Sequence, residues 1–297
     1  MGWPRADRQP AGRLQIAVRR AVERAQPWAD WVARAGYVTK GMVFLLVGDL
    51  AVAAAAGLGG KATGPSGALR TVARLPAGRA LLVLVALGLL AHVAFRAVLV
   101  LVGEPYLQRG RLGRVALRIG NGFAALVYLG LAISTGALAA GWHARRRAGS
   151  DDESRNLSAR LLSAPFGRPL LGAVALGILI VAALQLVRAV APHDMAERLH
   201  SEQMTKTERA IVKAMGRVAF AARAVVLASC GYFVGRAAID RAPREARGPA
   251  GALHAVWELP HGALWLAVVG GGLIVFGVYG LLEARWRRLF GRGALRG

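Results

Sequence analysis

The chain has 297 residues, 55% of them hydrophobic, with a mean hydropathy of +0.43 and a formal net charge of +23. This apolar share is too high for an ordinary soluble domain, so the composition excludes that class. The basic residues are spread over the connections between apolar runs instead of one soluble face, which argues against nucleic-acid binding. The single cysteine, Cys230, excludes an intramolecular disulfide and a cysteine-based metal cage.

The first 27 residues predict a cytoplasmic amphipathic segment. Leu14, Ala17, Val18 and Ala21 recur at the spacing of one helix face, and arginines occupy the other positions. Such a helix can lie on the inner leaflet, where arginines attract anionic headgroups, or it can pack beneath the bundle. The sequence leaves both uses open.

Six apolar runs predict six transmembrane helices, since each is close to the ~20 residues that a crossing needs. The first run follows a long basic segment without a cleavage pattern, so we expect it to remain in the membrane and not to be removed as a signal peptide. The fold class is therefore all-α and polytopic. The runs cover residues of about 38–57, 80–102, 122–141, 169–190, 218–239 and 263–283.

A short amphipathic stretch that stops at Pro-x-Gly occurs three times between apolar runs. The stops are Pro76-Ala77-Gly78, Pro165-Phe166-Gly167 and Pro260-His261-Gly262, and each proline is followed twelve residues later by another glycine. Internal repetition of this kind predicts three copies of a two-helix hairpin. Each copy carries a short helix flat on the outer surface, the first of them capped by Ser66 and running through Leu75.

The repeats divide the chain into units 28–104, 112–190 and 217–290. Residues 191–216 form a charged cytoplasmic connection between the second and third units. Within it, Thr205 and Glu208 have the spacing of a capping box, which predicts a helix leading straight into the fifth span.

Lys and Arg are more frequent in the connections on the side of the two termini. The positive-inside rule therefore predicts that both termini lie in the cytoplasm of a protein of the inner (cytoplasmic) membrane. Tryptophans near the span ends are typical of an interfacial belt, because an indole suits the headgroup layer. They are Trp28, Trp31, Trp142, Trp257, Trp265 and Trp286.

The segment Ala33-Arg34-Ala35-Gly36-Tyr37, the Gly-Ala-Leu to Pro-x-Gly stretches and the three two-span units resemble the bacterial membrane family called domain of unknown function 1206. The resemblance covers about residues 28–290. It implies a six-span protein of three repeats, common in actinobacteria, with no assigned activity and no catalytic residues to carry over. The second unit departs from the pattern, because Asn156-Leu157-Ser158 replaces Gly-Ala-Leu.

Ionisable side chains within hydrocarbon are costly and mark candidate sites. Counting along the runs places Asp49 and His92 at nearly the same depth, with Arg96 one turn closer to the cytoplasm. A proton relay or cation site is one interpretation of this cluster, and simple neutralisation of Asp49 is the other. In the repeat alignment Asp49 corresponds to Ile133 and Tyr232, so any such site is asymmetric.

Two further basic residues, Lys40 and Arg223, lie at equivalent positions on the cytoplasmic side of spans one and five. Lys40 is expected to extend its ammonium group to the interface, and Arg223 to a lesser degree. In the same alignment Arg96 corresponds to Gln185 and Gly280.

The sequence contains no His-Glu-x-x-His, Gly-x-Ser-x-Gly or Cys-x-x-Cys motif, so we expect no enzyme, cofactor or metal. The leading hypothesis is a membrane scaffold that interacts with anionic lipid headgroups or with an unknown protein partner. The alternative is a small proton- or ion-coupled transporter or channel that uses Asp49, His92 and Arg96.

Overall fold

The computed structural model describes residues 26–59, 62–103, 111–142, 152–190 and 204–286. In these ranges the chain forms nine α-helices and one 3₁₀ turn, Pro243–Glu245. The helices are α1 (Gln26–Ala55), α2 (Pro65–Val72), α3 (Gly78–Val102), α4 (Arg111–Ala139), α5 (Asp152–Ser163), α6 (Gly167–Val190), α7 (Lys206–Ile239), α8 (Pro249–Trp257) and α9 (Gly262–Trp286).

The six long helices α1, α3, α4, α6, α7 and α9 are each long and apolar enough to cross a membrane. The prediction of an all-α protein with six spans is therefore confirmed. The amphipathic segment expected over residues 1–27 lies outside the described residues, apart from residues 26 and 27 at the start of α1. The first part of the charged connection, residues 191–203, also lies outside them.

The first helix of each unit begins earlier than its apolar run. Helix α7 begins at Lys206, well before the run near residue 218, and its N-cap is the predicted capping box. The Thr205 hydroxyl accepts from the Glu208 N–H at 3.2 Å, and the Glu208 carboxylate accepts from the Thr205 N–H at 2.8 Å. Hydrophobicity finds only the part of a helix that meets hydrocarbon, so it misses these polar first turns.

The six spans form a closed ring in chain order. The second span of each unit packs against the first span of the next, so α3 lies on α4 and α6 lies on α7. The last span, α9, returns to pack along α1 in the most extensive contact of the molecule. Three like-oriented hairpins around one axis follow from this order.

Glycines at one repeated position allow close packing of the two spans in the first and third hairpins. A Cβ on Gly88 or Gly272 would collide with Thr39 or Ala222 in the facing helix, whereas on Gly177 it would lie 3.6 Å from the Phe123 ring. The three facing residues are equivalent in the repeat alignment. The second hairpin is thus the most open, and α4 and α6 touch only weakly.

The Pro-x-Gly stops have a steric basis. A Cβ on the glycine would strike a carbonyl oxygen of the preceding short helix, at Leu161 for Gly167 and at Trp257 for Gly262. The middle residue has a left-handed backbone in two of the units, with φ of 62° at Phe166 and 58° at His261.

The first short helix differs from the prediction at both ends. Gly64, not Ser66, occupies the N-cap of α2, and the helix ends at Val72 instead of Leu75. Pro65 takes the first helical position because its fixed φ and missing N–H suit that position. Helix α8 begins in the same way, with Pro249 at its first position. The starts of α2 and α8 lie close together, since a Cβ added to Gly64 would lie 2.9 Å from the Pro249 Cβ.

Candidate functional site

A cavity of about 60 Å³ lies in the ring, toward the end at which α1, α4 and α7 begin. This space admits several water molecules, at roughly 10–15 Å³ each. All six spans contribute lining residues. The charged members among the described lining residues are Lys40, Arg96, Arg188, Arg223 and Glu283.

Lys40 and Glu283 form a buried ion pair between α1 and α9. The Lys40 Nζ lies 3.0 Å from Glu283 Oε2, and the side chains are 3% and 8% exposed. The two helices approach closely here, since a Cβ on Gly41 would lie 2.8 Å from the Gly277 carbonyl oxygen. The expectation that Lys40 reaches the interface is therefore wrong, because this seam encloses it.

Arg223 stands over two aromatic faces. Its guanidinium carbon lies 5.0 Å from the centre of the Phe44 ring and 4.7 Å from that of Phe276. The Arg223 Nη2 also donates to the Tyr128 hydroxyl at 3.4 Å. Cation–π contacts hold a guanidinium in place without cancelling its charge.

Arg96 and His92 lie together, as predicted. The Arg96 Nε donates to His92 Nε2 at 3.3 Å, and its Nη1 donates to the Asn121 Oδ1 of α4. His92 is fully buried and makes edge contacts with the rings of Tyr37 and Tyr128. Since His92 Nε2 accepts this bond, the ring is neutral at that nitrogen.

Asp49 does not belong to this group. A Cβ added to Gly36 would lie only 2.7 Å from His92 Cα, so His92 and Gly36 lie at the same height along the bundle. Asp49 follows thirteen residues later, which places it roughly 20 Å further along α1 at 1.5 Å per residue. It is exposed on the outer face of the bundle. The predicted three-residue cluster is therefore wrong for Asp49, because the ends of the two apolar runs do not mark the same membrane level in the two helices.

Sequence reasoning missed the amides and two charges of the cavity. Arg188 Nη1 donates to Gln185 Oε1 at 3.2 Å, and both Gln185 and Asn121 are nearly fully buried. Neither Arg188 nor Glu283 is among the sequence-predicted site residues. They occupy the same position in the repeat alignment, and comparing charged residues at equivalent positions would have found them.

The cavity is lined at equivalent positions of the three units. Lys40, Ala124 and Arg223 correspond in the first spans, and Arg96 corresponds to Gln185 in the second spans. A cavity lined in this way lies on the axis that relates the units. The charges themselves break the three-fold pattern.

Positive charges exceed negative ones by three among the described lining residues. Glu283 compensates Lys40, whereas Arg96 and Arg223 bond to neutral groups. Charges act strongly in such surroundings because little water screens them. The arrangement suits an anion with several oxygens, such as phosphate or carboxylate. Among the described residues, His, Cys, Asp and Glu form no group of three that could hold a metal ion.

Comparison with known proteins gives one family and one curated relative. A family model described as Domain of Unknown Function (DUF1206) matches residues 35–103, 119–191 and 218–287. The uncharacterized protein YxxB of Bacillus subtilis (strain 168) is 32% identical over 271 residues, covering 90% of this chain and 94% of that protein. No solved structure matches.

Proposed function

The chain belongs to the Domain of Unknown Function (DUF1206) family, and we propose its function from the cavity itself. The protein is a non-enzymatic, multi-pass membrane protein that binds the phosphate-bearing headgroup of an anionic lipid. The excess of guanidinium groups over carboxylates in the cavity is the observation that carries this proposal.

The chemistry of the lining supports a phosphate-bearing occupant. Guanidinium groups offer several N–H donors in a planar fork, and phosphate oxygens accept them in pairs. Arg96 and Arg223 approach the cavity from α3 and α7, and the buried amides of Asn121 and Gln185 add neutral partners. A single phosphate can contact groups from several spans at once.

The weak contact between α4 and α6 supports a lipid over a free solute. In the apolar stretches of these two spans 17% and 22% of the residues are buried, against 44% and 50% in the spans of the third unit. Both helices contribute several cavity-lining residues, including Asn121 and Gln185. Basic pockets between spans are known to take lipid headgroups, and a lipid can enter sideways between loosely packed helices.

The cavity would face the cytoplasm of a bacterial inner membrane. Lys and Arg are enriched in the segments before α1, between α3 and α4, between α6 and α7 and after α9, and the positive-inside rule assigns this side to the cytoplasm. The cytoplasmic leaflet is also the one rich in anionic lipid.

A transporter has weaker support. Asp49, the acidic member of its coupled site, lies outside the cavity. The half of the bundle beyond the cavity holds a packed apolar cluster that includes Val47, Val226 and Leu273. A route across the membrane would have to open this cluster.

Native mass spectrometry of the purified protein with defined lipids tests the proposal. We expect retention of phosphatidylglycerol or cardiolipin over phosphatidylcholine, and a loss of roughly 100-fold or more in that preference in the double variant R96Q/R223Q, since hydrogen bonds to charged groups contribute about 1.5–3 kcal/mol each. The control R244Q removes an exposed arginine at the opposite end of the bundle. A separate titration with inorganic phosphate distinguishes a headgroup site from a site for free anions. An unchanged preference in R96Q/R223Q would overturn the proposal.

A further inference from the structure

Asp49 is a carboxylate on the outer face of the bundle. It lies on one stripe of α1 with Val38 and Met42, which are 38% and 57% exposed. The equivalent residues of the other units, Ile133 and Tyr232, are 64% and 55% exposed. This position therefore faces the surroundings in all three units, and only the first unit places a charge there.

The location of Asp49 makes an ionised carboxylate costly. It lies six residues before the end of α1, which is about 9 Å along the helix axis, and its side chain is too short to cover that distance. Within the described part of the chain, Asp49 forms no ion pair or hydrogen bond. Charged residues in spans are normally paired, so a cation on a second copy would stabilise the ionised carboxylate.

Arg236 is a cation on the outer face of α7 at a similar depth. Its position is one turn closer to the helix end than that of Tyr232, the equivalent of Asp49. The Arg236 Nε bonds to Asp240 at 2.9 Å and its Nη1 to the Tyr232 hydroxyl at 3.4 Å, while the side chain stays 48% exposed. These bonds use two of the five N–H donors of a guanidinium.

We infer that Asp49 of one copy pairs with Arg236 of a second copy of this chain, forming a side-by-side oligomer. Copies inserted the same way up hold the two residues within one helical turn in depth, about 5–6 Å, which an arginine side chain spans. A bidentate guanidinium–carboxylate pair is strong where water is scarce.

The two groups lie on different sides of the ring, with α9 between α1 and α7. The contact is therefore heterologous, with the α1 face of one copy against the α7 face of the next. A dimer contains one such ion pair and leaves one face of each kind for further copies.

Mixing two variants tests this pairing. We expect D49N alone and R236Q alone to be monomeric in mild detergent by multi-angle light scattering, because each lacks one half of every contact. An equimolar mixture restores one intact pair, between Arg236 of the D49N copy and Asp49 of the R236Q copy, and so forms mixed dimers. Fluorescence energy transfer between differently labelled variants in vesicles measures the same pairing in a bilayer.

The matched control is I133N, which places the same amide at the equivalent exposed position of the second unit. We expect I133N to keep the parent oligomeric state, and all variants to keep the helical circular dichroism of the parent. A monomeric parent, or single variants with the parent mass, would overturn the inference. A mixture that remains monomeric would overturn it as well, and none of these results depends on lipid binding in the cavity.

Discussion

Lys40 Nζ and Glu283 Oε2 lie 3.0 Å apart, and this bond joins the first membrane span to the last. Both side chains are buried, so removing one partner leaves an uncompensated charge. We expect K40M and E283Q each to lower the free energy of unfolding by about 3–5 kcal/mol. Unfolding in mixed detergent micelles, followed by circular dichroism, measures the change.

The double variant K40M/E283Q separates the ion pair from its surroundings. Removing both charges leaves no unpaired charge, so we expect a smaller loss than the sum of the single losses. The exposed pair of Arg247 and Glu258, at 3.5 Å, is the control, and E258Q should cost about 1 kcal/mol or less. Additive losses at Lys40 and Glu283 would contradict their pairing.

Glu283 also sets the charge of the cavity. We expect E283Q to bind anionic lipid more tightly than the parent, because it removes the only carboxylate among the described lining residues. The measurement is the lipid preference by native mass spectrometry under conditions in which the variant stays folded. The same variant should thus be less stable and bind better, and weaker binding would contradict an anionic occupant.

The glycine of a Pro-x-Gly stop has no room for a side chain. We expect G262A to lower the free energy of unfolding by about 1–3 kcal/mol, since a Cβ there strikes the Trp257 carbonyl oxygen. G130A is the matched control, because a Cβ at Gly130 meets no atom within 4 Å and the new alanine favours the helix. Equal effects of the two changes would contradict the steric reason for the repeat.

The left-handed residue before that glycine offers a stabilising change. Phe166 has φ of 62° and is 83% exposed, so F166G loses little contact and relieves backbone strain. We expect a gain of roughly 1 kcal/mol in thermal or detergent unfolding. At the equivalent Ala77, where φ is −96°, A77G should instead cost up to about 1 kcal/mol. A loss of stability in F166G would contradict the strain.

Cysteine labelling tests the proposed orientation. In a C230A background, S163C on α5 and K213C on α7 place exposed thiols at opposite ends of the bundle. We expect a membrane-impermeant maleimide to label S163C in intact cells and K213C only after the cells are opened. The reverse pattern would place both termini outside.

The fold was largely predictable because the bilayer imposes its thickness on each span. Apolar runs located six helices, and the repeated Pro-x-Gly stops located the short helices. Apolar runs alone miss helix starts such as those of α1 and α4, since polar turns outside hydrocarbon carry no hydropathy signal. The capping box at Thr205 and Glu208 predicts the start of α7 correctly.

The cavity was less predictable because it depends on which helices become neighbours. Arg96 and His92 lie one turn apart on one helix, so their contact follows from spacing alone. Lys40 and Glu283 are 243 residues apart and meet only because α9 packs on α1. Nothing in the local sequence around either residue specifies that contact. The repeats do reduce the number of possible helix neighbours, because every unit faces its neighbours in the same way.

Closure of the ring by α9 also has a consequence for biosynthesis. At about 5–20 residues per second, the ribosome needs roughly 12–50 s after making Lys40 to reach Glu283. During that interval the first helix holds an ammonium group without its carboxylate, in a chain already entering the bilayer. Late docking of the final helix, not the early insertion of the first, therefore completes the assembly, and a nascent protein truncated before residue 283 is a natural substrate for membrane quality control.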